Sequence, residues 1–322
     1  MKKAFITGIN GQDGSYLTEH LLSMGYEVGG LVRRSSVAEN QTYRINHLEK
    51  DINTYYGDLI DKSSIDKALK AFKPDYIFNL AAQSHVRLSF DMPSFTARVN
   101  SLGALNVFEA VKEICPNAKV YQASSSEMFG SCVDHDNFQR ETTPMKPVSP
   151  YGCSKLYAYS IARNYRKSYG LFISNGILFN HESPRRGKNF VTAKVVKGAL
   201  DIKYGKAEKL EMGNLESFRD WGHSSDYTKA MIKLLNHSEP EDIVISTGKA
   251  HSVKELCKEV FDALGLNFED HIVINKKYFR PEELPYLQGD SKKGRELLSW
   301  EPEYTFKTLL LDMINEFEKE YI

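Results

Sequence analysis

The sequence predicts an α/β protein whose core is a doubly wound parallel sheet, followed by a smaller C-terminal lobe. Three observations indicate this fold. Short β-branched or aromatic runs alternate with amphipathic stretches through the first half of the chain. Several of these runs are almost continuously apolar, as is typical of strands buried on both faces. Glycines with GxxGxxG spacing follow the first run, at Gly8, Gly11 and Gly14.

The predicted elements follow this alternation along the chain. The first five strands are expected at Lys3–Thr7, Tyr26–Val32, Ile52–Tyr56, Tyr76–Ala81 and Lys119–Ala123, and a sixth at Leu171–Phe179. Helices are expected at Tyr16–Met24, Ser63–Phe72, Thr96–Ile114, from Pro150 to about Lys167, at Thr192–Leu200 and at Phe306–Tyr321. The pattern loosens beyond residue 179. We therefore expect a dinucleotide-binding domain over residues 1–179 and a lobe over 180–322, some of whose segments return to the first domain.

Composition excludes several classes of function. The 322 residues carry 42 Lys and Arg against 42 Asp and Glu, so no cationic excess favours nucleic acid. No long apolar run suggests a membrane span, and the two residues before the first strand are too few for a secretory signal. The four cysteines have no CxxC spacing, which argues against a disulfide framework or a zinc ribbon. We expect a cytoplasmic protein without a metal, nucleic-acid or membrane partner.

The glycine motif predicts a dinucleotide site. Gly8 allows a tight turn, Gly11 lets the backbone approach a pyrophosphate, and Gly14 permits close contact between strand and helix. Arg33 follows the second strand, where a cation suits the 2′-phosphate of NADP and an acid would suit the ribose of NAD. The sequence thus favours NADP over NAD, although a solvated basic loop is the alternative. Asp58 follows the third strand and could accept from the adenine amine or cap its own loop.

A second group of residues predicts catalysis. Tyr151 and Lys155 are spaced i,i+4 and so share one face of a helix. An unperturbed Tyr titrates near ~10, and a neighbouring ammonium and a cationic nicotinamide would both favour its phenolate. Glu127 follows a serine-rich strand end and is a candidate general acid and base; the alternative is a polar strand end. A cluster around Asp134 and Asp136 indicates a solvated loop rather than a metal site.

With these motifs, the chain resembles the GDP-mannose 4,6-dehydratase family, within the extended short-chain dehydrogenase/reductases and their Rossmann-type fold. The resemblance extends over nearly the whole chain, and its two most specific strings are FNHESPRRG and RDWGH. The matching segments are Thr7–Tyr16, Arg33–Ser36, Asn79–Val86, Glu141–Pro144, Ser149–Tyr151, Phe179–Gly187, Phe190–Thr192, Arg219–His223 and Tyr278–Pro281.

The resemblance implies a role for each matching residue. Tyr151 would be the base, Lys155 its partner and Glu127 the acid and base, and Ser125 stands where the family usually has Thr. The cofactor-side residues would be Gly8, Gly11, Gln12, Asp13, Gly14, Arg33, Ser35, Asp58, Leu59, Tyr151, Lys155, His181 and Arg186. Ser84 would lie near the sugar, and the GDP moiety would be held by Asn180, Val191, Lys194, Arg219, Arg280 and Glu283.

The family resemblance also implies a reaction and an assembly. The expected reaction converts a GDP-hexose into a GDP-4-keto-6-deoxyhexose, and Arg33–Ser36 would reach a neighbouring subunit's cofactor in a homotetramer built from dimers. The loop after Glu127 is longer than is usual in the family and the stretch from Gly248 to Tyr278 is shorter. These departures favour GDP-N-acetylglucosamine over GDP-mannose as substrate. The alternatives are an epimerase or NADPH-dependent reductase of the same superfamily, or a non-catalytic dinucleotide sensor.

Overall fold

The computed structural model describes residues 1–33 and 42–322. Its strands are β1 Lys3–Thr7, β2 Glu27–Val32, β3 Ile52–Tyr56, β4 Tyr76–Asn79, β5 Lys119–Ser125, β6 Ile173–Leu178, β7 Asn180–Glu182, β8 Leu210–Met212, β9 Phe218–His223, β10 Asp242–Ile245, β11 Ala250–Ser252, β12 Ile272–Ile274 and β13 Tyr286–Leu287. Its α-helices are α1 Gln12–Ser23, α2 Lys62–Phe72, α3 Val86–Asp91, α4 Pro93–Ala97, α5 Gly103–Ile114, α6 Pro150–Tyr169, α7 Val191–Lys203, α8 Ser224–Asn236, α9 Val253–Ala263, α10 Phe268–His271, α11 Lys292–Leu298 and α12 Phe306–Glu318.

The central sheet has seven parallel strands in the order β10-β6-β5-β4-β1-β2-β3. Apolar residues of α1 and α8 pack on one face of this sheet, and those of α2, α5 and α6 pack on the other. This two-sided burial explains why β1, β2 and β4 are almost continuously apolar. The predicted doubly wound α/β fold is thereby confirmed. The strand order reverses between β1 and β4, and ligands of such sheets bind beyond the strand ends at this point.

The second lobe has its own sheets and core. Strand β9 pairs with β7, β11 and β13, while β8 pairs with β12. Helices α7, α9 and α12 cover an apolar cluster that includes the buried Trp221. Strand β10 instead returns to the central sheet, where it pairs with β6. The division at residues 179 and 180 stays a prediction. No helix among the described residues has the length and apolarity needed to cross a membrane.

Two helices differ from the expected ones. The first begins at Gln12 rather than Tyr16, because the third glycine of the motif already lies within its first turn. The expected helix over Thr96–Ile114 is confirmed as one continuous helical stretch, but it contains a π-helical turn at Arg98–Leu102 between α4 and α5. Gly103 follows the wide turn, and a Cβ there would lie 2.7 Å from the Cβ of Leu59, so this part of the helix packs closely on the loop after β3.

Candidate active site

A cleft of about 990 Å³ lies between the carboxyl ends of the central strands and the second lobe. It brings together every predicted site residue that the structure describes. These are Gly8, Gly11, Gln12, Asp13, Gly14, Arg33, Asp58, Leu59, Ser84, Ser125, Glu127, Tyr151, Lys155, Asn180, His181, Arg186, Val191, Lys194, Arg219, Arg280 and Glu283. Ser35 lies outside the described residues, as do the neighbouring Arg34 and Ser36. The individual roles of these residues stay predictions.

The glycine turn has the geometry that a pyrophosphate requires. Gly8 has a φ of +72°, and its carbonyl oxygen accepts from the amide of Gly11 at 2.9 Å. A Cβ on Gly14 would lie 2.3 Å from that same oxygen, so only glycine permits the packing of β1 against α1. Gly11 precedes α1 without a side-chain cap, which leaves N–H groups of the first turn available to an anion. The residues present therefore fit a dinucleotide cofactor.

The side chains of Gln12 and Asp13 bind other parts of the protein. The Gln12 amide accepts from Ser183 Oγ at 2.9 Å and donates to the carbonyl of His181 at 3.1 Å. Asp13 accepts from His181 Nε2 at 2.8 Å and from Ser224 Oγ at 2.6 Å. These contacts attach the glycine turn to β7 and α8. They leave the backbone of Gln12 and Asp13, rather than their side chains, to contact a cofactor.

The part of the cleft beside the ends of β2 and β3 is lined by Arg33, Asp58 and Leu59. Arg33 is exposed. The Asp58 carboxylate accepts from the amide of Ile60 at 3.2 Å, so it does cap its own loop while also lining the cleft. A contact with adenine remains compatible with this arrangement, since a carboxylate has further lone pairs to offer.

Helix α6 positions the Tyr–Lys pair. Pro150 occupies the first helical turn, and the Ser149 hydroxyl accepts from the amide of Gly152, a favourable helix start. Burial raises the pKa of Tyr151 to about 12, although a hydrogen bond with Ser125 lowers it in part. Burial also lowers the pKa of Lys155 to about 8. Lys155 Nζ donates to the carbonyl of Ala123 at 2.9 Å and lies 5.8 Å from the centre of the Tyr151 ring.

In the chain alone, the pKa of Tyr151 is therefore raised rather than lowered, whereas the phenolate was expected with both the Lys155 ammonium and a cationic nicotinamide beside it. Desolvation raises the pKa of the phenol by more than its neighbours Ser125 and Arg186 lower it. A further cation close to the phenol would be needed before Tyr151 could act as a base near neutral pH.

Glu127 belongs to a cluster of two carboxylates and two guanidinium groups. It is 8% exposed and follows β5, where the Ser125 hydroxyl accepts from its amide at 3.3 Å. Arg280 lies 3.5 Å from Glu127 and 3.7 Å from Glu283, which is also 3.5 Å from Arg219. Burial lowers the pKa of Arg219. The formal charges of this cluster cancel, and Arg280 reaches Glu127 from the opposite lobe.

Two further predicted residues of the cleft, Lys194 and Arg186, lie against aromatic rings. Lys194 Nζ lies 3.6 Å from the centre of the Tyr278 ring, a cation–π geometry, and burial lowers the pKa of Lys194. Arg186 lies against the ring of Phe190 and pairs with the buried Glu182 at 2.9 Å. The cleft thus combines cations with flat aromatic rings, both of which suit a nucleotide.

One buried residue of the site was missed by sequence reasoning. Asn100, in the π-helical turn, accepts from the amide of Gln83 at 2.8 Å. Its own amide group donates to the carbonyl of Gln83 and to Ser154 Oγ, each at 3.0 Å. Ser154 in turn donates to the carbonyl of Tyr151 at 2.7 Å. A polar Asn inside a predicted amphipathic helix was the available signal.

The acidic loop after Glu127 is held by an arginine. Arg140 pairs with Asp134 at 3.0 Å, with Asp136 at 2.6 Å and with Asp290 at 2.8 Å. These contacts satisfy the carboxylates that a metal ion would otherwise need. Across residues 1–33 and 42–322, no group of three or more metal-binding side chains is brought together.

Comparison with known proteins gives extensive sequence matches. The family profile described as GDP-mannose 4,6 dehydratase matches residues 5–313. GDP-mannose 4,6 dehydratase 1 of Arabidopsis thaliana is 48% identical over 327 aligned positions, covering 98% of this chain and 89% of the relative. GDP-mannose 4,6 dehydratase of Homo sapiens is 45% identical, covering 97% and 90%. GDP-mannose 4,6-dehydratase of Vibrio cholerae is 42% identical, covering 98% and 93%.

Solved structures share the fold at lower sequence identity. UDP-glucose 4-epimerase of Thermotoga maritima, crystallised with UDP-glucose, superposes with a TM-score of 0.88 at 23% identity, covering 99% of this chain and 100% of the other. dTDP-glucose 4,6-dehydratase of Bacillus anthracis in complex with NAD gives a TM-score of 0.86 at 23% identity, covering 99% and 97%. These similarities concern the fold.

Proposed function

The chain belongs to the GDP-mannose 4,6-dehydratase family, and we propose that it is an NADP-dependent GDP-hexose 4,6-dehydratase. The observation that carries this function is the meeting of three groups in one cleft. Tyr151 and Lys155 lie on α6, the glycine turn lies beside them, and Glu127 faces them with Arg280 at 3.5 Å. A reductase or epimerase needs the first two groups. The added carboxylate is what loss of water requires.

The chain's own residues can carry each proton of the reaction. Tyr151 takes the proton of the sugar 4-hydroxyl as C4 is oxidised. The resulting ketone acidifies the neighbouring C5–H, and Glu127 removes that proton. The C6 hydroxyl then leaves as water, with a proton delivered by Glu127 or Ser125. A bound nicotinamide supplies the acceptor for the C4 hydride and returns the same hydride to C6. C5 regains a proton from Tyr151, which restores the phenolate, so sugar and cofactor balance and the only net loss is one water.

Besides accepting a hydride, an oxidised cofactor would stabilise the phenolate form of Tyr151. Burial raises its pKa to about 12, so the positive charge of an oxidised nicotinamide is the further stabilisation that the phenolate needs. The chain supports this by burying Lys155 against the carbonyl of Ala123, close to the ring of Tyr151. Arg33 at the adenosine end suits the 2′-phosphate of NADP more than the free ribose of NAD.

GDP-mannose replaces GDP-N-acetylglucosamine as the first candidate substrate. The relatives named GDP-mannose 4,6-dehydratase are 42% to 49% identical across most of their length, which supports mannose. The positive charges of Arg219 and Arg280 suit the diphosphate of either sugar. C2 takes no part in the reaction, so shape at C2 alone would distinguish the two. As part of the same proposal, the protein assembles as a homotetramer, which light scattering after gel filtration would test.

The purified protein, loaded with NADP, should be incubated with GDP-mannose, GDP-N-acetylglucosamine and UDP-N-acetylglucosamine at matched concentrations, without added reductant. We expect a product lighter by one water from a GDP sugar, with the highest kcat/KM for GDP-mannose. A higher value for the acetamido sugar would overturn the choice of mannose and leave the dehydratase standing. Preference for the UDP sugar would contradict recognition of GDP, while stoichiometric consumption of NADPH or an isomer of unchanged mass would contradict the dehydratase.

A further inference from the structure

The glycine turn contains a carboxylate where a phosphate is expected. Asp13 lies between Gly11 and Gly14, in the first turn of α1, and lines the cleft. The N–H groups and the positive end of a helix attract an anion at this position. A free carboxylate beside them would repel a pyrophosphate. The chain must therefore neutralise Asp13 if the turn is to bind a dinucleotide.

Asp13 is ionised and both of its oxygens are engaged. Oδ2 accepts from His181 Nε2 at 2.8 Å, and Oδ1 accepts from Ser224 Oγ at 2.6 Å. Burial by itself raises the pKa of Asp13, but the charge and hydrogen bonds of His181 and Ser224 outweigh it and lower the pKa to about 2. Asp13 therefore carries a full negative charge at neutral pH.

Both ring nitrogens of His181 face atoms that can only accept. Nδ1 lies 2.7 Å from the carbonyl oxygen of Phe179, and Nε2 lies 2.8 Å from the Asp13 carboxylate. Neutral imidazole has a single N–H, so it could satisfy only one of these partners. The two contacts together require the doubly protonated ring. Although burial lowers the pKa of His181, Asp13 outweighs it and the pKa is raised.

The groups around the pair lie on or next to four elements: β5, α6, β7 and α8. The ring of Tyr227, on α8, lies 4.9 Å from the His181 ring between centroids. The positive charge of Arg186 lowers the pKa of His181. Among the described residues, the charged and titratable groups that act on the pair are Arg186 after β7, Lys155 and Tyr151 on α6, Tyr121 on β5, and Tyr227 on α8.

We infer that His181 is a permanent imidazolium that cancels the charge of Asp13 beside the pyrophosphate of a bound dinucleotide. His181 is thus a positioning residue for the cofactor, since it acts through Asp13. The inference rests on the proposed NADP dependence. The pair joins α1 to β7 across 168 residues of sequence, so it also fixes the turn against the substrate lobe while leaving the turn without net negative charge.

Removing one charge of the pair, or both, distinguishes neutralisation of Asp13 from a merely structural role of His181. His181→Gln removes the cation and leaves Asp13 uncompensated, so the Kd for NADP should rise at least about tenfold. Asp13→Asn together with His181→Gln removes both charges, and NADP binding should return to within about threefold of the unmodified protein. A double variant that binds as weakly as His181→Gln, or more weakly, would overturn the inference. Isothermal titration measures Kd directly, and circular dichroism confirms that each variant is folded.

The single variant Asp13→Asn provides an independent test through pH. His181 would then lose its counter-ion and, because burial and Arg186 both lower the pKa of its ring, it would be neutral near about pH 8 and gain a proton only as the pH falls below the ordinary pKa of a histidine. That added cation should strengthen NADP binding relative to the unmodified protein as the pH falls. The ratio of the two Kd values cancels the titration of NADP itself. A ratio that does not change with pH would overturn the inference, whereas failure of the unmodified protein to bind NADP would instead refute the proposed cofactor.

Discussion

Glu127→Gln tests the assignment that distinguishes a dehydratase from its relatives. The substitution keeps the shape and the hydrogen-bonding capacity of the side chain but removes the charge and the base. Loss of a positioned acid and base costs roughly 10² to 10⁴ in rate, or about 3 to 5.5 kcal/mol in activation free energy. The contact with Arg280 at 3.5 Å accounts for far less, since a partly exposed ion pair contributes about 0 to 1 kcal/mol.

The step at which the variant stops should be visible in the cofactor. C4 oxidation does not require Glu127, so a variant loaded with NADP and given GDP-mannose should accumulate reduced nicotinamide on the enzyme. Stopped-flow absorbance follows this accumulation, and mass spectrometry follows the loss of water. We expect reduction of the cofactor to proceed while kcat for dehydration falls at least about a hundredfold.

Glu283→Gln is a matched control. Glu283 belongs to the same charge cluster, at 3.5 Å from Arg219 and 3.7 Å from Arg280, but it is not assigned to the reacting carbons. Its loss should change KM and leave kcat within a few-fold. Near-normal dehydration by Glu127→Gln, or equal loss of kcat in both variants, would refute the role of Glu127.

Three further predictions address the cofactor, the helix and the pH dependence. Arg33→Ala should narrow the preference for NADP over NAD at least tenfold, because a charge-assisted hydrogen bond contributes about 1.5–3 kcal/mol; equal affinity of the unmodified protein for both cofactors would contradict it. Asn100→Ala leaves the groups of Gln83 and Ser154 without partners and should lower the free energy of unfolding by about 1–3 kcal/mol, measured with urea, while an unchanged midpoint would show that water replaces the amide. Burial raises the pKa of Asp220 from 3.8 to about 6, so between these values the native state holds a proton that the unfolded chain has lost. The free energy of unfolding should therefore fall as the pH rises from about 4 to 6. Asp220→Asn should remove this pH dependence, and a variant with the same pH dependence as the unmodified protein would refute the assignment to Asp220.

Sequence periodicity predicted the strands of the central sheet, where consecutive residues are buried alike. β1 and β3 have their predicted bounds, and the other four predicted strands of the sheet overlap theirs. The π-helical turn at Arg98–Leu102 was not predicted, nor were the hydrogen bonds of its Asn100 with Gln83 and Ser154, which are distant in sequence. A periodic pattern contains no information about such a partner.

In the candidate site, too, features set by local sequence could be predicted, whereas features set by distant residues could not. The glycine turn and the Tyr–Lys pair could be found from short spacings, and the resemblance added the residues of the lobe. The burial that raises the pKa of Tyr151 to about 12 could not be found that way. The expected effect of Lys155 on the Tyr151 phenol was based on the spacing of the two residues, whereas the pKa of the phenol also depends on all the atoms that exclude water from it.

By itself, the sequence determined the class of fold and the position of the glycine turn, and it predicted the reactive side chains, because these follow from hydrophobic period, glycine spacing and residue chemistry. Only the tertiary structure decided how charges are paired. Asp13 meets His181 across 168 residues, and Glu127 meets Arg280 across 153. Electrostatic interaction depends on distance in space and on exclusion of water, and folding sets both by bringing the lobe against the ends of the parallel strands.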